Sequence, residues 1–245
     1  MIKTAMVMAA GHGTRMRPMT NDRSKAMVEV GDKPLIDHML DRLAQAGVER
    51  AVVNVHAHAD HLEAHLKART DGLEIIISDE RDELLETGGG VIKALPLLGD
   101  DPFLICNIDA IWVQREDLLS KLMSAWQPHM DELLMLTTRQ YAFGYNGAGD
   151  FLLNSEGQIS RRLEAVAPYV FAGVQIARPH IFDGFKIEKF SRNKVWDKSL
   201  ARGKLYGVDC FDGPRGGYWL HVGDPQARDM AEQILRDSHP WVANG

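Results

Sequence analysis

The chain has 245 residues, of which 28 are basic and 34 acidic, giving a formal charge of −6. Its 45% hydrophobic and 25% charged residues match an ordinary globular domain, and no run of roughly 18 apolar residues offers a membrane span. Net acidity excludes a protein that coats nucleic acid through bulk charge, so any polyanionic ligand has to be met by a few placed cations. The N-terminal apolar stretch from Ala5 to Ala10 is too short for a signal-peptide core. Two cysteines, Cys106 and Cys210, read as reduced thiols rather than a disulfide framework, which sets a cytoplasmic expectation with no membrane or nucleic-acid partner.

Thr4 to Ala9 reads as a buried strand. Leu35, Met39, Leu43 and Ala46 recur at helical spacing and predict a helix over Pro34 to Ala46, stopped by Gly47. Ala51 to Val55 is a β-branched strand, Asp60 to Arg69 a short helix, and Leu73 to Ser78 a strand. Gly90 to Leu98 is a helix closed by Gly99, and Phe103 to Cys106 a fourth buried strand. This alternation predicts a parallel sheet covered on both faces.

The later half is less regular. A helix is expected over Glu116 to Trp126 and a strand over Leu133 to Thr138, then shorter strands at Phe151 to Leu153, Ile159 to Leu163 and Tyr169 to Ala177. Helices over Trp196 to Arg202 and Gln226 to Leu235 close the chain, the last behind an Asp224-Pro225 cap and first-turn pair. No composition break marks a boundary. Residues 1–245 therefore read as one domain, with one half up to about residue 110 and an irregular cap over 111–245.

The most informative segment is Ala9-Ala10-Gly11-His12-Gly13-Thr14-Arg15-Met16-Arg17-Pro18. Glycines let backbone N–H groups approach a phosphate, and Arg15 adds a bidentate donor. It is neither a three-glycine dinucleotide fingerprint nor a Walker loop. On loop chemistry alone, an ordinary strand-to-helix turn competes evenly with an anion site.

The loop and the segment behind it, Ser24-Lys25-Ala26-Met27-Val28-Glu29-Val30-Gly31-Asp32-Lys33-Pro34-Leu35, together resemble the start of the sugar-1-phosphate nucleotidyltransferase family. Gly11, Gly13, Thr14, Arg15, Met16, Pro18 and Thr20 match its signature loop, and Lys25 its phosphate-binding lysine. Counterparts continue at Glu86-Thr87-Gly88-Gly89-Gly90, Asn107-Ile108-Asp109, Gly147 to Phe151, Glu164, Tyr169 to Gly173 and Trp219 to Pro225. The resemblance implies a Rossmann-like α/β nucleotidyltransferase fold, with a mixed, mostly parallel sheet flanked by helices and a small sugar-binding cap. It implies transfer of UMP from UTP to a sugar 1-phosphate, N-acetylmuramate 1-phosphate first, as in cell-wall sugar recycling. Runner-up readings are GTP with mannose 1-phosphate, and a catalytically silent regulatory homologue. Mg²⁺ is the implied cofactor, the oligomer a monomer or homodimer, and the length suits the catalytic domain without an appended one.

Such a reaction joins two anions by in-line attack on phosphorus, so the site must neutralise charge and hold geometry. Arg15, Lys25 and Asp109 are the expected catalytic set. Lys25 would meet the α-phosphate or the incoming sugar phosphate, and Arg15 the departing pyrophosphate. Gly11, His12, Gly13, Thr14, Glu86, Thr87 and Gly88 are the expected nucleotide-binding positions, with Thr87 also read as the cap of the helix near Gly90. Asn107, Gly149, Asp150, Glu164 and Gly173 are expected at the sugar. Asp109, after a buried strand, is the metal candidate, although Ile108 stands where the family usually has Gly.

His221 stands where many family members have a second acidic ligand. Three readings are open: it ligates the metal as neutral imidazole, it holds a metal-bound water or a phosphate, or Asp224 reaches the site instead. Asp209 and Asp212 are weaker alternatives. The run His56-Ala57-His58-Ala59-Asp60-His61-Leu62-Glu63-Ala64-His65 invites a zinc reading through His61 and His65 at i and i+4, but it runs from a strand into an amphipathic helix. Cys106 and the tryptophans Trp112, Trp126, Trp196 and Trp219 read as packing.

Overall fold

The structure is a computed structural model and describes residues 2–211, 213 and 217–237. The first half runs β1 (Thr4–Met8), β2 (Glu29–Val30), β3 (Lys33–Pro34), α1 (Leu35–Gln45), β4 (Arg50–Val55), α2 (Ala59–Lys67), β5 (Glu74–Asp79), α3 (Glu86–Leu98) and β6 (Phe103–Asn107). It continues with β7 (Ala110–Gln114), α4 (Leu118–Ala125), β8 (Glu132–Thr138), β9 (Ala142–Phe143), β10 (Phe151–Leu153), β11 (Ile159–Arg161) and β12 (Tyr169–Ala177). It closes with α5 (Asn193–Ala201), β13 (Leu205–Phe211), β14 (Gly217–His221) and α6 (Pro225–Asp237).

The central sheet has the path β11-β10-β12-β6-β1-β4-β5, with β8 on the other side of β12 and β13 beyond β8. The pairs β1–β4, β1–β6, β4–β5 and β8–β13 are parallel, whereas β12 is antiparallel to both β6 and β8. The expected mixed, mostly parallel α/β sheet with flanking helices is thus observed. Its central strands β1 and β4 are sealed on both faces: Ala5, Met6, Val7, Ala51, Val52 and Val53 are fully buried. That explains why the sequence shows continuous apolar runs rather than alternation. In α1, Leu35, Ile36, Met39, Leu40 and Leu43 make a single buried stripe, each contributing about 2 kcal/mol of burial.

The chain leaves β1 for β4 and β5 on one side, then returns to β6 on the other side of β1. The strand order therefore reverses between β1 and β6. In open α/β sheets the crevice at the carboxyl ends of such strands is where ligands bind.

The later half departs from the reading. Strands β7, β13 and β14 form where none was expected, and β7, β14 and β9 make a small second sheet. α5 starts three residues earlier than expected, at Asn193, and α3 starts at Glu86 rather than near Gly90. Gly88, Gly89 and Gly90 lie inside that helix because neighbours crowd it. A Cβ on Gly88 would lie 2.3 Å from the Phe190 ring, and one on Gly89 2.0 Å from the Glu188 carbonyl oxygen. Contact rather than helix propensity set the composition there.

Candidate active site

A cavity of about 470 Å³ opens at the reversal point. Ala9, Ala10 and Gly11 after β1, Asn107 to Asp109 after β6, and Glu86 and Thr87 at the head of α3 line it, together with Gly13, Thr14, Arg15, Lys25 and Gly223.

Two close approaches build the glycine loop. Gly13 has φ +61°, and a Cβ there would lie 2.9 Å from Lys25 Cβ and 3.0 Å from Thr20 Cγ2. The Thr20 hydroxyl donates to the Gly13 carbonyl at 2.9 Å, which pins the turn. Nothing lies within 4 Å of a Cβ built on Gly11, so the backbone there faces open space that a ligand can enter. Lys25 begins a short 3-10 turn (Lys25–Met27), and the Ser24 hydroxyl accepts from the Ala26 N–H.

Lys25 Nζ reaches Asp109 Oδ2 at 2.8 Å. Burial acts to raise the Asp109 pKa, but Lys25 and His221 outweigh it and hold the carboxyl below the usual range. The Val222 N–H donates to the Asp109 carbonyl at 2.9 Å, and His221 sits opposite Ala110 in the β14–β7 ladder. This register delivers the imidazole beside the turn that carries Asp109. Burial lowers the His221 pKa, with Lys25 and Arg15 adding to the effect against Asp109, so the ring is neutral at neutral pH. A Cβ on Gly223 would stand 2.8 Å from His221 Nε2 and 3.6 Å from Arg15 Nη1. The missing side chain lets Arg15 and His221 converge around Gly223 beside the cavity.

Other expected residues divide. Thr14, Glu86 and Thr87 line the cavity, whereas His12 is exposed and packs edge-on against His56 at 4.9 Å. Gly88 is buried behind the wall, its N–H donating to the Phe190 carbonyl at 2.8 Å. Thr87 does not cap α3, which has no side-chain cap. Its hydroxyl accepts from the Arg192 N–H at 3.0 Å. Asn107 lines the cavity, and its Oδ1 is buried without a hydrogen-bond partner.

Gly149, Asp150, Glu164 and Gly173 lie outside the cavity lining. A Cβ on Gly149 would lie 2.0 Å from the Ala167 carbonyl oxygen, and one on Gly173 2.4 Å from Ala110 Cβ, so both glycines make room for neighbouring chain. Asp150 accepts from the Phe171 N–H at 2.9 Å and from the Tyr145 hydroxyl at 3.3 Å, while Glu164 is exposed.

Asp224 Oδ1 accepts from the Ala227 N–H at 2.8 Å, the expected cap of α6. That oxygen is thereby committed to the helix. Asp209 accepts from the Phe211 N–H on β13, and Asp212 lies outside the described residues. In the histidine-rich run, His65 Nε2 lies 2.8 Å from Asp37 Oδ2, His61 is exposed, and Leu62 and Leu66 are buried. No group of three or more His, Cys, Asp or Glu among the described residues is placed to hold a metal. Cys106 is buried and its thiol pushed up to about 12, as a packing residue should be.

Sequence reasoning missed Glu80. It stands in Asp79-Glu80-Arg81-Asp82-Glu83, a run that reads as solvated charge. The β4–β5 pairing sets Asp79 beside Val55 and carries Glu80 into the interior, where it is fully buried. Only that register reveals it.

A switch-point crevice with a glycine turn, two cations and an aspartate paired to one of them defines an α/β domain built to handle phosphorylated ligands. Residues 5–203 match the MobA-like NTP transferase domain, and the chain belongs to that family. It is 48% identical over 242 residues to N-acetylmuramate alpha-1-phosphate uridylyltransferase from Caulobacter vibrioides, covering 96% of this chain and 98% of that one. A Neisseria meningitidis protein of the same name is 34% identical over 220 residues, covering 89% and 92%. The inositol-1-phosphate CTP transferase of T. maritima superposes with a TM-score of 0.77 over 96% of each chain at 19% identity, a likeness of fold.

Proposed function

We propose that this chain transfers UMP from UTP to N-acetylmuramate 1-phosphate, giving the UDP-sugar and pyrophosphate. The observation that carries the chemistry is the meeting of Lys25 with Asp109 at the sheet's reversal point, with Arg15 lining the same cavity. The choice of nucleotide and sugar rests on the shared name of the two relatives at 48% and 34% identity.

An oxygen of the sugar phosphate attacks the α-phosphorus, and the bond from that phosphorus to the bridging oxygen of the β-phosphate breaks. The electron pair leaves with pyrophosphate. A phosphate nucleophile is already ionised, so no side chain has to remove a proton. Lys25 neutralises the approaching phosphates as a point charge, and Arg15 takes charge that develops on the leaving group.

Asp109 is the residue that would hold Mg²⁺. One carboxylate from the turn after β6 fits an ion that takes most of its oxygen ligands from substrate phosphates and water. Such an ion would supply charge neutralisation at the phosphates. His221, a neutral nitrogen donor, fits better as a partner for water or phosphate than as a direct ligand. Thr14, Glu86 and Thr87 would face the nucleotide and Asn107 the sugar. Two buried cysteines, and no described helix long and apolar enough to cross a membrane, support action in the cytoplasm.

Pyrophosphate release across a matrix of the four nucleoside triphosphates and several sugar 1-phosphates tests this reading. Fastest release with UTP and N-acetylmuramate 1-phosphate is expected. Faster release with GTP and mannose 1-phosphate would replace the substrate assignment, and silence with every pair would favour a regulatory homologue.

A further inference from the structure

Asn54, near the end of β4, is buried. Its Oδ1 accepts from the backbone N–H groups of Ala9 at 2.7 Å and Ala10 at 3.2 Å. Its Nδ2 donates to Glu80 Oε1 at 2.7 Å. The other carboxylate oxygen, Oε2, accepts from the Leu85 N–H at 3.0 Å. One amide–carboxylate pair therefore ties the backbone leaving β1 to the residue that precedes α3.

Both tied segments line the same cavity, Ala9 to Gly11 from the β1 side and Leu84, Glu86 and Thr87 from the start of α3. The pair also needs space, which Gly90 provides. A Cβ there would lie 2.7 Å from Glu80 Oε1 and 3.0 Å from Asn54 Nδ2. A primary amide accepts both N–H groups on its oxygen and donates to the carboxylate from its nitrogen, which spans the gap between them. An aspartate at position 54 would face Glu80 as a second anion, and a leucine would leave two N–H groups and a carboxylate unpaired in the interior.

Arg15, Lys25 and Asp109 supply the charged groups suited to phosphate. The segments that the pair braces add apolar surface and backbone polar groups, beside the carboxylate of Glu86. That surface suits an uncharged planar base and repels phosphate. We infer that Asn54, which itself reaches the cavity lining, and Glu80 behind it are positioning residues for nucleobase selection: they set the spacing of the two backbone segments that read the base. This rests on the nucleotidyl-transfer reading above.

Glu80→Gln tests it with little change of shape. Asn54 Nδ2 and the Leu85 N–H reach different oxygens of Glu80, and in glutamine one of these becomes an NH₂ group that cannot accept, so one link breaks while packing persists. Loss of a buried bond to a carboxylate corresponds to about a tenfold effect. The expected result is about a tenfold rise in the KM for the preferred triphosphate. The preference over the next-best base should narrow about tenfold, with a much smaller change in the KM for the sugar 1-phosphate. Hydrogen exchange at the Ala9, Ala10 and Leu85 amides should accelerate in the variant. Unchanged base preference would overturn the inference, as would equal rises in both KM values alongside a lowered Tm, which mark a merely structural pair. Calorimetric UTP binding by wild type and variant separates the two readings. If wild type binds UTP but turns over no sugar phosphate, the transferase reading fails while the effect of Glu80→Gln on nucleotide affinity can still be measured.

Discussion

Lys25 Nζ and Asp109 Oδ2 stand 2.8 Å apart although 84 residues separate them in the chain. Their partnership joins the loop after β1 to the turn after β6, the two ends between which the strand order reverses. Because Lys25 meets charge that grows in the transition state, Lys25→Ala should lower kcat by about 10²- to 10³-fold and change KM far less. Steady-state pyrophosphate release measures this, and wild-type turnover in the variant would remove Lys25 from the chemistry.

Gly13 holds φ +61°, and its missing Cβ leaves room for Lys25 and Thr20. Gly13→Ala combines backbone strain with a forced shift of Lys25, for a cost of about 1–3 kcal/mol. Activity should fall at least as far as in Lys25→Ala. Chemical denaturation and turnover assays read the two effects, and normal values of both would contradict the packing described.

Asp224 caps α6, so Asp224→Ala should cost about 1 kcal/mol, or roughly 2–4 °C in Tm, and leave the Mg²⁺ dependence unaltered. His221→Asp should instead lower the Mg²⁺ concentration for half-maximal rate, because a carboxylate replaces a nitrogen at an oxygen-loving ion. Mg²⁺ titration of the rate, together with Mn²⁺ binding followed by paramagnetic resonance, distinguishes these residues. A changed metal dependence in Asp224→Ala would return that aspartate to the site.

Glu132 lies in the interior, accepting from Ser199 Oγ at 2.7 Å and Gln175 Nε2 at 2.6 Å. Burial raises its carboxyl from the usual 4.5 to about 7. The folded state therefore holds this proton more tightly than the unfolded chain. The resulting stability is fully present below pH 4.5 and is lost as pH rises through 7, a swing of roughly 3 kcal/mol. Glu132→Gln should flatten that fall between pH 5 and 8 in urea titrations. A variant whose stability still declines by the same amount would place the titrating group elsewhere.

Much of this protein is determined by sequence alone. Strands β1, β4 and β6 and helix α1 are legible because burial on both faces or on one stripe leaves continuous apolar runs or helical spacing, and the edge strand β5 because its isoleucines run together. Gly11, Gly13, Arg15 and Lys25 stand out in the sequence because they match the signature loop and lysine of a known family, and Asp224 because a cap is a local bond. The rest was decided by tertiary structure, since its causes lie far along the chain. β14 delivers His221 only through pairing with β7, Gly88 packs against Phe190, and Glu80 is buried only because β5 lies beside β4. Gly149 and Gly173 look like sugar-facing turns in sequence, yet each is required by a neighbouring backbone or methyl group that no local pattern records. Local hydrophobic periodicity and backbone chemistry write themselves into the sequence. Close approaches between distant segments write only an unexplained glycine or a misplaced charge.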